Sequence, residues 1–347
     1  MDERMLRLPD PFASSQDRQT FRRRLLRWFA SGGRDLPWRR TRDPYAILVS
    51  EMMLQQTQVA TVLPYFERWL KRFPNMATLA RAREMDVLKA WQGLGYYTRA
   101  RNLHAAAKQV VRDFAGELPS EREMLASLPG VGRYTAGAIA TFAFDRSQPI
   151  VEANIGRVLS RLTNSEIPID TVAGRDFLWH TARELLPPKK ARLHNSALMD
   201  LGATICRPRR PLCSSCPVRS FCRAENPALL PRKKKPPRTI HLVESHAFTR
   251  ERNHILLEHS RERWRGMWIL PRLSRLPKRA PLLRLDFPFT HHRITLAVFA
   301  MREAALPNDH HQWFPLPALP RLPLPTPHRR ALCKLLSMEM PDLFAVS

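Results

Sequence analysis

Four cysteines lie close together as Cys206-x6-Cys213-x2-Cys216-x5-Cys222, and they limit what this chain can fold into more than any other feature. Thiolates this near in sequence can enclose one metal centre if the backbone between them loops around it. Zinc takes four thiolates tetrahedrally, and a cubane iron–sulfur cluster takes four, one on each iron. The spacing leaves both open, although zinc modules usually carry two C-x2-C pairs and this chain has one. The fifth cysteine, Cys333, follows Ala331 and Leu332 and reads as a small core residue. Five cysteines in this pattern give no disulfide framework, which suits a reducing compartment.

The loop between the first two cysteines holds Arg207, Arg209 and Arg210, an arrangement suited to a phosphate backbone. The whole chain has the same bias: 57 Lys and Arg against 31 Asp and Glu, a net charge of +26. Such an excess favours nucleic acid, because neutralising phosphates releases counterions. No stretch reaches the roughly 18 apolar residues of a membrane span. Met1 to Asp10 shows no apolar run with a cleavage site. The expected location is the cytoplasm, or the nucleus in a eukaryote.

Composition shifts divide the chain at 225 and 240. Only Gly266 of the twelve glycines follows Gly202, whereas prolines accumulate from Pro227 onward. Residues 226–239 are basic and Pro-rich and read as an extended linker. Before it, apolar residues recur at helical spacing, as at Phe21, Leu25, Trp28 and Phe29. Helices are expected over 59–72, 99–114, 134–144, 155–162 and 175–186. After it, 241–249, 254–259 and 293–302 look like short strands, and 314–327 looks irregular. The expected fold is a mostly α domain over 1–225 and a small α+β domain over 240–347.

Two further motifs carry chemistry. Leu128-Pro-Gly-Val-Gly-Arg-Tyr-Thr-Ala136 lies between helical patterns. Gly130 and Gly132 permit positive φ, and the helix that follows opens with free N–H groups suited to phosphate. This is the helix-hairpin-helix pattern, which grips DNA without reading sequence; the simpler reading is a tight helix–helix turn. The second motif is a pair of carboxylates. Glu51 is flanked by apolar residues in Ile47-Leu-Val-Ser-Glu-Met-Met-Leu-Gln-Gln-Thr57, surroundings that raise a carboxyl pKa, unless it merely caps or salt-bridges a helix. Glu152 follows in Ile150-Val-Glu-Ala-Asn-Ile-Gly-Arg157. Protonating a leaving group while stabilising an oxocarbenium-like sugar needs two carboxyls in different environments.

Together these segments, with Gly93-Leu-Gly-Tyr-Tyr-Thr-Arg-Ala-Arg-Asn102, resemble the MutY-type adenine DNA glycosylases of the helix-hairpin-helix superfamily that includes endonuclease III. The likeness is strong over 20–225 and weak over 240–347. It implies removal of adenine mispaired with 8-oxoguanine or guanine in double-stranded DNA, by a monomer, leaving an abasic site without strand cleavage. By resemblance, Glu51 is the acid that protonates adenine N7, Tyr134 lies near the scissile sugar and Asn154 orients the second carboxylate. Arg39 lies near adenine, and Gln56 and Tyr96 enter the duplex around the mismatch. The four cysteines take a [4Fe–4S] cluster, and Phe289, Thr290 and His291 match the segment that inspects 8-oxoguanine in a Nudix-like domain. No Nudix hydrolase motif is present. Lyase relatives carry a Schiff-base lysine where this chain has Tyr134, and no lysine occurs between Lys108 and Lys189. Three positions depart from the family: Glu152 and Ala153 replace its Asp-Gly, and Ser196 stands where some relatives carry Glu or Gln.

Overall fold

A computed structural model describes residues 12, 14–302 and 310–337; Met1 to Asp10, and the stretches 303–309 and 338–347 of the expected C-terminal domain, lie outside the described residues. In chain order the helices are α1 (Ser15–Gly32), α2 (Pro37–Arg40), α3 (Pro44–Leu54), α4 (Val59–Arg72), α5 (Met76–Arg81), α6 (Glu84–Trp91), α7 (Thr98–Asp113), α8 (Arg122–Ala126), α9 (Arg133–Phe142), α10 (Ala153–Leu162), α11 (Val172–Leu185) and α12 (Ala191–Asp200). A π-helical turn, Leu201–Ile205, leads from α12 into the cysteine loop. The strands are β1 (Ile240–Phe248), β2 (Arg250–Glu251), β3 (His254–His259), β4 (Trp268–Ile269), β5 (Leu283–Phe289), β6 (His292–Ala300) and β7 (His311–Pro315), and α13 (Thr326–Ser337) follows. No described helix is long and apolar enough to cross a membrane.

The chain forms two compact units, and neither is continuous in sequence. One comprises Met1–Met52 and Asp113–Lys235, the other Met53–Arg112 and Pro236–Ser347. The linear division at 225 and 240 read from composition therefore runs differently from the packing, which joins α4–α7 to the β-rich segment.

In the first unit, side-chain caps set helix starts. Ser14 Oγ accepts the Asp17 N–H at 3.1 Å, and Thr171 Oγ1 accepts the Gly174 N–H at 3.0 Å; such caps contribute about 1 kcal/mol each. Phe21 and Leu25 of α1, Ile155 and Leu159 of α10, Leu178 and Leu185 of α11 and Leu198 of α12 form one core, and Cys206, Cys216 and Cys222 pack against it. Helix α12 was not foreseen. It buries His194, Asn195, Ser196 and Asp200 together with Ala191, Ala197 and Leu198, so polar residues interrupt the apolar stripe that would have marked it. The segment read as a linker is pinned at Arg232 and Lys234. Arg232 O accepts from Ile169 N at 3.0 Å, and Lys234 N donates to Asp170 Oδ1 at 3.0 Å.

In the second unit, Val62, Phe66 and Trp69 make the buried stripe of α4. Trp69 packs edge-on against Phe73 and Trp91. One sheet has the order β1-β6-β5, with β1 parallel and β5 antiparallel to β6. In the other, β3 pairs antiparallel with β2, β4 and β7. Ile255, Leu257, Leu296, Val298, Leu316 and Leu332 share the core. Strands β1, β3 and β6 lie where the alternation placed them. Strand β5 was missed because Pro288 reads as a breaker; it is tolerated on the edge of the sheet, where a missing N–H breaks no internal ladder. The stretch 314–327 is more ordered than its composition suggests: it ends β7, forms the 3-10 turn Leu316–Arg321 that buries Leu316 and Leu319, and starts α13.

The lone late glycine has a structural reason. Gly266 has φ +79°, and a Cβ there would stand 2.7 Å from Glu84 Oε1 and 3.0 Å from Leu88 Cδ1. The Arg265 carbonyl beside it accepts from Arg101 at 2.8 Å. Gly266→Ala is expected to lower stability by about 1–2 kcal/mol, read as a lowered urea midpoint; an unchanged midpoint would contradict this packing.

Candidate active site

Helix α3 buries Ile47, Leu48, Val49 and Met52 around Glu51, which is 4% exposed. Glu51 lies in the body of the helix, so it is not an N-cap. Burial pushes its carboxyl from 4.5 up to about 7; a hydrogen bond from Tyr134 and the charge of Arg39 oppose this, while the charge of Glu152 adds to it. Tyr134 sits in the first turn of α9. Burial and the neighbouring Glu51 and Glu152 hold its phenol well above 10, so it stays a neutral donor. Tyr134, Glu152 and Arg39, all read from the sequence, are thus close enough to Glu51 to act on its carboxyl.

Glu152 is the N-cap of α10. Its Oε2 accepts the Asn154 N–H at 2.7 Å and its Oε1 the Ile155 N–H at 2.8 Å. Aspartate is the commoner cap; the extra methylene here still lets both oxygens reach helix amides. Burial raises the Glu152 carboxyl, opposed by those amides, by Arg157 and by the Asn154 side chain. Asn154 is held in turn: its Oδ1 accepts from Arg157 Nη2 at 2.8 Å, and the same guanidinium donates to Gly202 O at 2.7 Å and to Cys206 O at 2.8 Å.

Arg39 is fixed by a residue that sequence reading passed over. Asp200, fully buried, accepts from Arg39 Nη1 at 2.8 Å and Nη2 at 2.7 Å. The same carboxylate accepts the Arg34 backbone N–H and its Nε, each at 2.8 Å. The bidentate fork sets the plane of the Arg39 guanidinium. Ser196, one turn before Asp200, is buried.

The hairpin joins α8 and α9. Gly130 has φ +75°, and the Val131 N–H closes the turn on Leu128 O at 3.0 Å. Gly132 differs from expectation: it is extended, at φ −84°, and serves as the N-cap of α9 with open space where a Cβ would stand.

The four loop cysteines are each half-buried and form no disulfide. Arg161 of α10 donates to Cys206 Sγ at 3.3 Å, to Arg207 O at 2.7 Å and to Pro208 O at 2.6 Å. Burial raises the Cys216 thiol to about 11, and Cys206, Cys222 and Cys213 push the same way. Among the described residues no three His, Cys, Asp or Glu side chains gather as a single ion requires; a cubane spreads its thiolates over four irons. Four cysteines on one loop, with Cys206, Cys213 and Cys222 near enough for their charges to act on Cys216, are a donor set that such a cluster fits. Arg207, Arg209 and Arg210 between them are exposed.

In the second unit, Gln56, Tyr96 and Thr290 share an uncommon backbone, with φ of 57°, 48° and 53°. Left-handed non-glycine residues cluster at functional turns. Gln56 is exposed and Tyr96 is 46% exposed. Tyr96, Phe289 and Thr290 line one cavity of about 320 Å³ with Tyr97, Trp264 and Arg330. Trp264, buried edge-on against Phe289 at 5.8 Å, was not singled out from sequence. His291 does not line this cavity; its ring lies 4.0 Å from that of His292.

The Glu51 pKa has a consequence for stability. Its folded value, about 7, stands above its ordinary 4.5, so its protonation favours the fold. That contribution is complete below pH 4.5 and is lost as pH rises through about 7. Glu51→Gln, which stays neutral, is expected to melt near the native protein at pH 4.5 and above it at pH 8. A gap that does not widen with pH would place the charge elsewhere.

A family model described as "HhH-GPD superfamily base excision DNA repair protein" matches residues 49–171. That span holds Glu51, Gln56, Tyr96, the hairpin, Tyr134, Glu152 and Asn154. An adenine DNA glycosylase of Mus musculus is 46% identical over 222 residues, 61% of this chain and 43% of the mouse protein, so the chain matches less than half of that relative's length. An adenine DNA glycosylase of Buchnera aphidicola subsp. Schizaphis graminum is 34% identical over 257 residues, covering 72% of this chain and 74% of that protein. Among solved structures, a thermostable thymine-DNA glycosylase superposes with a TM-score of 0.55 at 31% identity, over 61% of this chain and 98% of that one. With these sequences, and with the buried carboxyl and hairpin in one matched span, the chain belongs to the adenine DNA glycosylase family of the HhH-GPD superfamily.

Proposed function

We propose that this protein flips adenine out of a mispair with 8-oxoguanine or guanine and hydrolyses its N-glycosyl bond, leaving an abasic site in an uncut strand. The observation that carries the reading is Glu51: a carboxyl raised to about 7 beside a second carboxyl and a neutral tyrosine. Such a group is partly protonated at neutral pH and can give its proton to adenine N7 as the bond to the sugar weakens. Glu152, held on two helix amides and oriented with Asn154, stabilises the cationic sugar until water adds. Tyr134 offers no amine, so no Schiff base forms there and no lyase step follows. Arg39, fixed by Asp200, contacts the extruded base.

Gln56 and Tyr96 open the stack from tight turns. The cavity under Phe289 and Thr290 receives the opposite base, and the segment 240–347 acts as a small Nudix-like recognition domain. Gly130, Gly132 and the loop arginines grip phosphates. Cys206, Cys213, Cys216 and Cys222 would hold a [4Fe–4S] cluster, whose contribution is to brace the arginine loop.

The test is single-turnover release from adenine:8-oxoguanine, adenine:guanine and thymine:guanine duplexes, each read with and without alkali. Adenine release that appears as a cut strand only after alkali is expected, with rates falling as pH rises through about 7. Glu51→Gln and Glu152→Gln should each slow release at least about 100-fold. Release of thymine but not adenine, or strand cleavage without alkali, would overturn the reading.

A further inference from the structure

Arg99 stands in the first turn of α7 and is 6% exposed. Its guanidinium reaches two separate turns. On one side Nη1 donates to Met53 O at 2.7 Å and to Gln55 O at 2.6 Å, while Nη2 donates to Thr57 Oγ1 at 3.1 Å. On the other, Nη2 donates to Leu94 O and Gly95 O, each at 3.1 Å. The first turn carries Gln56 and the second carries Tyr96, both left-handed. Trp91 reinforces the second turn through Nε1 to Gly95 O at 3.1 Å. The guanidinium also lies 5.6 Å from the Tyr96 ring centroid and 5.3 Å from that of Trp91.

We propose that Arg99 is a positioning residue that locks the Gln56 turn and the Tyr96 turn into one rigid wedge for entering the duplex. The proposal rests on the reading of Gln56 and Tyr96 as duplex-entering residues. Left-handed conformations at non-glycine residues persist only where the surroundings over-determine them. Here the restraint on each turn is a set of backbone carbonyls aimed at one planar cation. A planar guanidinium spans both sets at once; a lysine ammonium, a compact point donor, does not. Without the fork the carbonyls are left buried beside an apolar stem, and each turn is free to relax independently.

The test is a double-mutant cycle in the full chain, read by the fluorescence of 2-aminopurine placed beside an adenine:8-oxoguanine mispair. This reports opening of the stack on binding and does not depend on base release. In the native background, Gln56→Ala and Tyr96→Ala are expected to depart from additivity by about tenfold in the opening equilibrium. In Arg99→Met and Arg99→Lys the departure is expected to shrink to less than about twofold. Far-ultraviolet circular dichroism shows which variants are folded, and Arg99→Lys, which keeps the charge and the stem, serves if Arg99→Met unfolds. A role limited to general stability would lower the melting temperature and leave the coupling intact. Coupling retained in the folded Arg99 variants, or absent from the native protein, overturns the proposal. Absence of adenine release with coupling intact in the native protein and lost in the variants would sink the proposed reaction while leaving the wedge in place.

Discussion

Arg157 and Arg161 project from successive turns of α10, and both are buried, at 7% and 1% exposure. Taking a guanidinium out of water costs several kcal/mol unless its donors are met. Here they are met largely by backbone carbonyls: Gly202, Cys206, Arg207, Pro208 and Leu230. Carbonyls do not titrate, so the attachment is indifferent to pH across the neutral range. Through these bonds one helix fixes the path of the cysteine loop at its C-terminal side and, at its N-terminus, the cap where Glu152 sits. The loop and the second carboxylate therefore share a frame, and Asn154 is set by the same guanidinium that grips Cys206.

The chemistry that this frame supports depends on unequal environments for like groups. Glu51 lies within an apolar helix and is pushed up to about 7; burial raises Glu152 as well, but helix amides and Arg157 oppose that rise. The glutamate in place of aspartate is accommodated at the cap, where a longer arm still reaches two N–H groups. Arg39 adds a positive charge whose direction is decided elsewhere, by Asp200. Positioning is thus distributed over residues remote in sequence from the carboxyls they surround.

The sequence was most legible where one residue type repeats or one environment extends along the chain. The cysteine spacing, the apolar flanks of Glu51, the Gly130 turn and the stripes of α1 and α4 could all be read directly. The helix α12 could not, because buried His194, Asn195 and Asp200 interrupt its apolar residues. Strand β5 was hidden by Pro288, and Gly132 was assigned a conformation that its neighbours do not require. Asp200, Arg99 and Trp264 escaped for a common reason. A buried polar or aromatic residue gains meaning from what surrounds it in space, and a single sequence does not carry that.

The chain leaves the first unit after Met52 and re-enters it at Asp113, and the second unit is interrupted in the same way. On a ribosome adding about 5–20 residues per second, α1 and α2 emerge long before the helices they pack against. Arg34 and Arg39 are made more than 150 residues ahead of Asp200, the partner that neutralises them. Neither unit can finish by local contacts alone, and the long-range closure makes its folding slow compared with that of a sequential bundle. The Asp200 anchor of Arg34 and Arg39 in the first unit is therefore among the last parts of the molecule to take shape, and until then these two arginines remain in water.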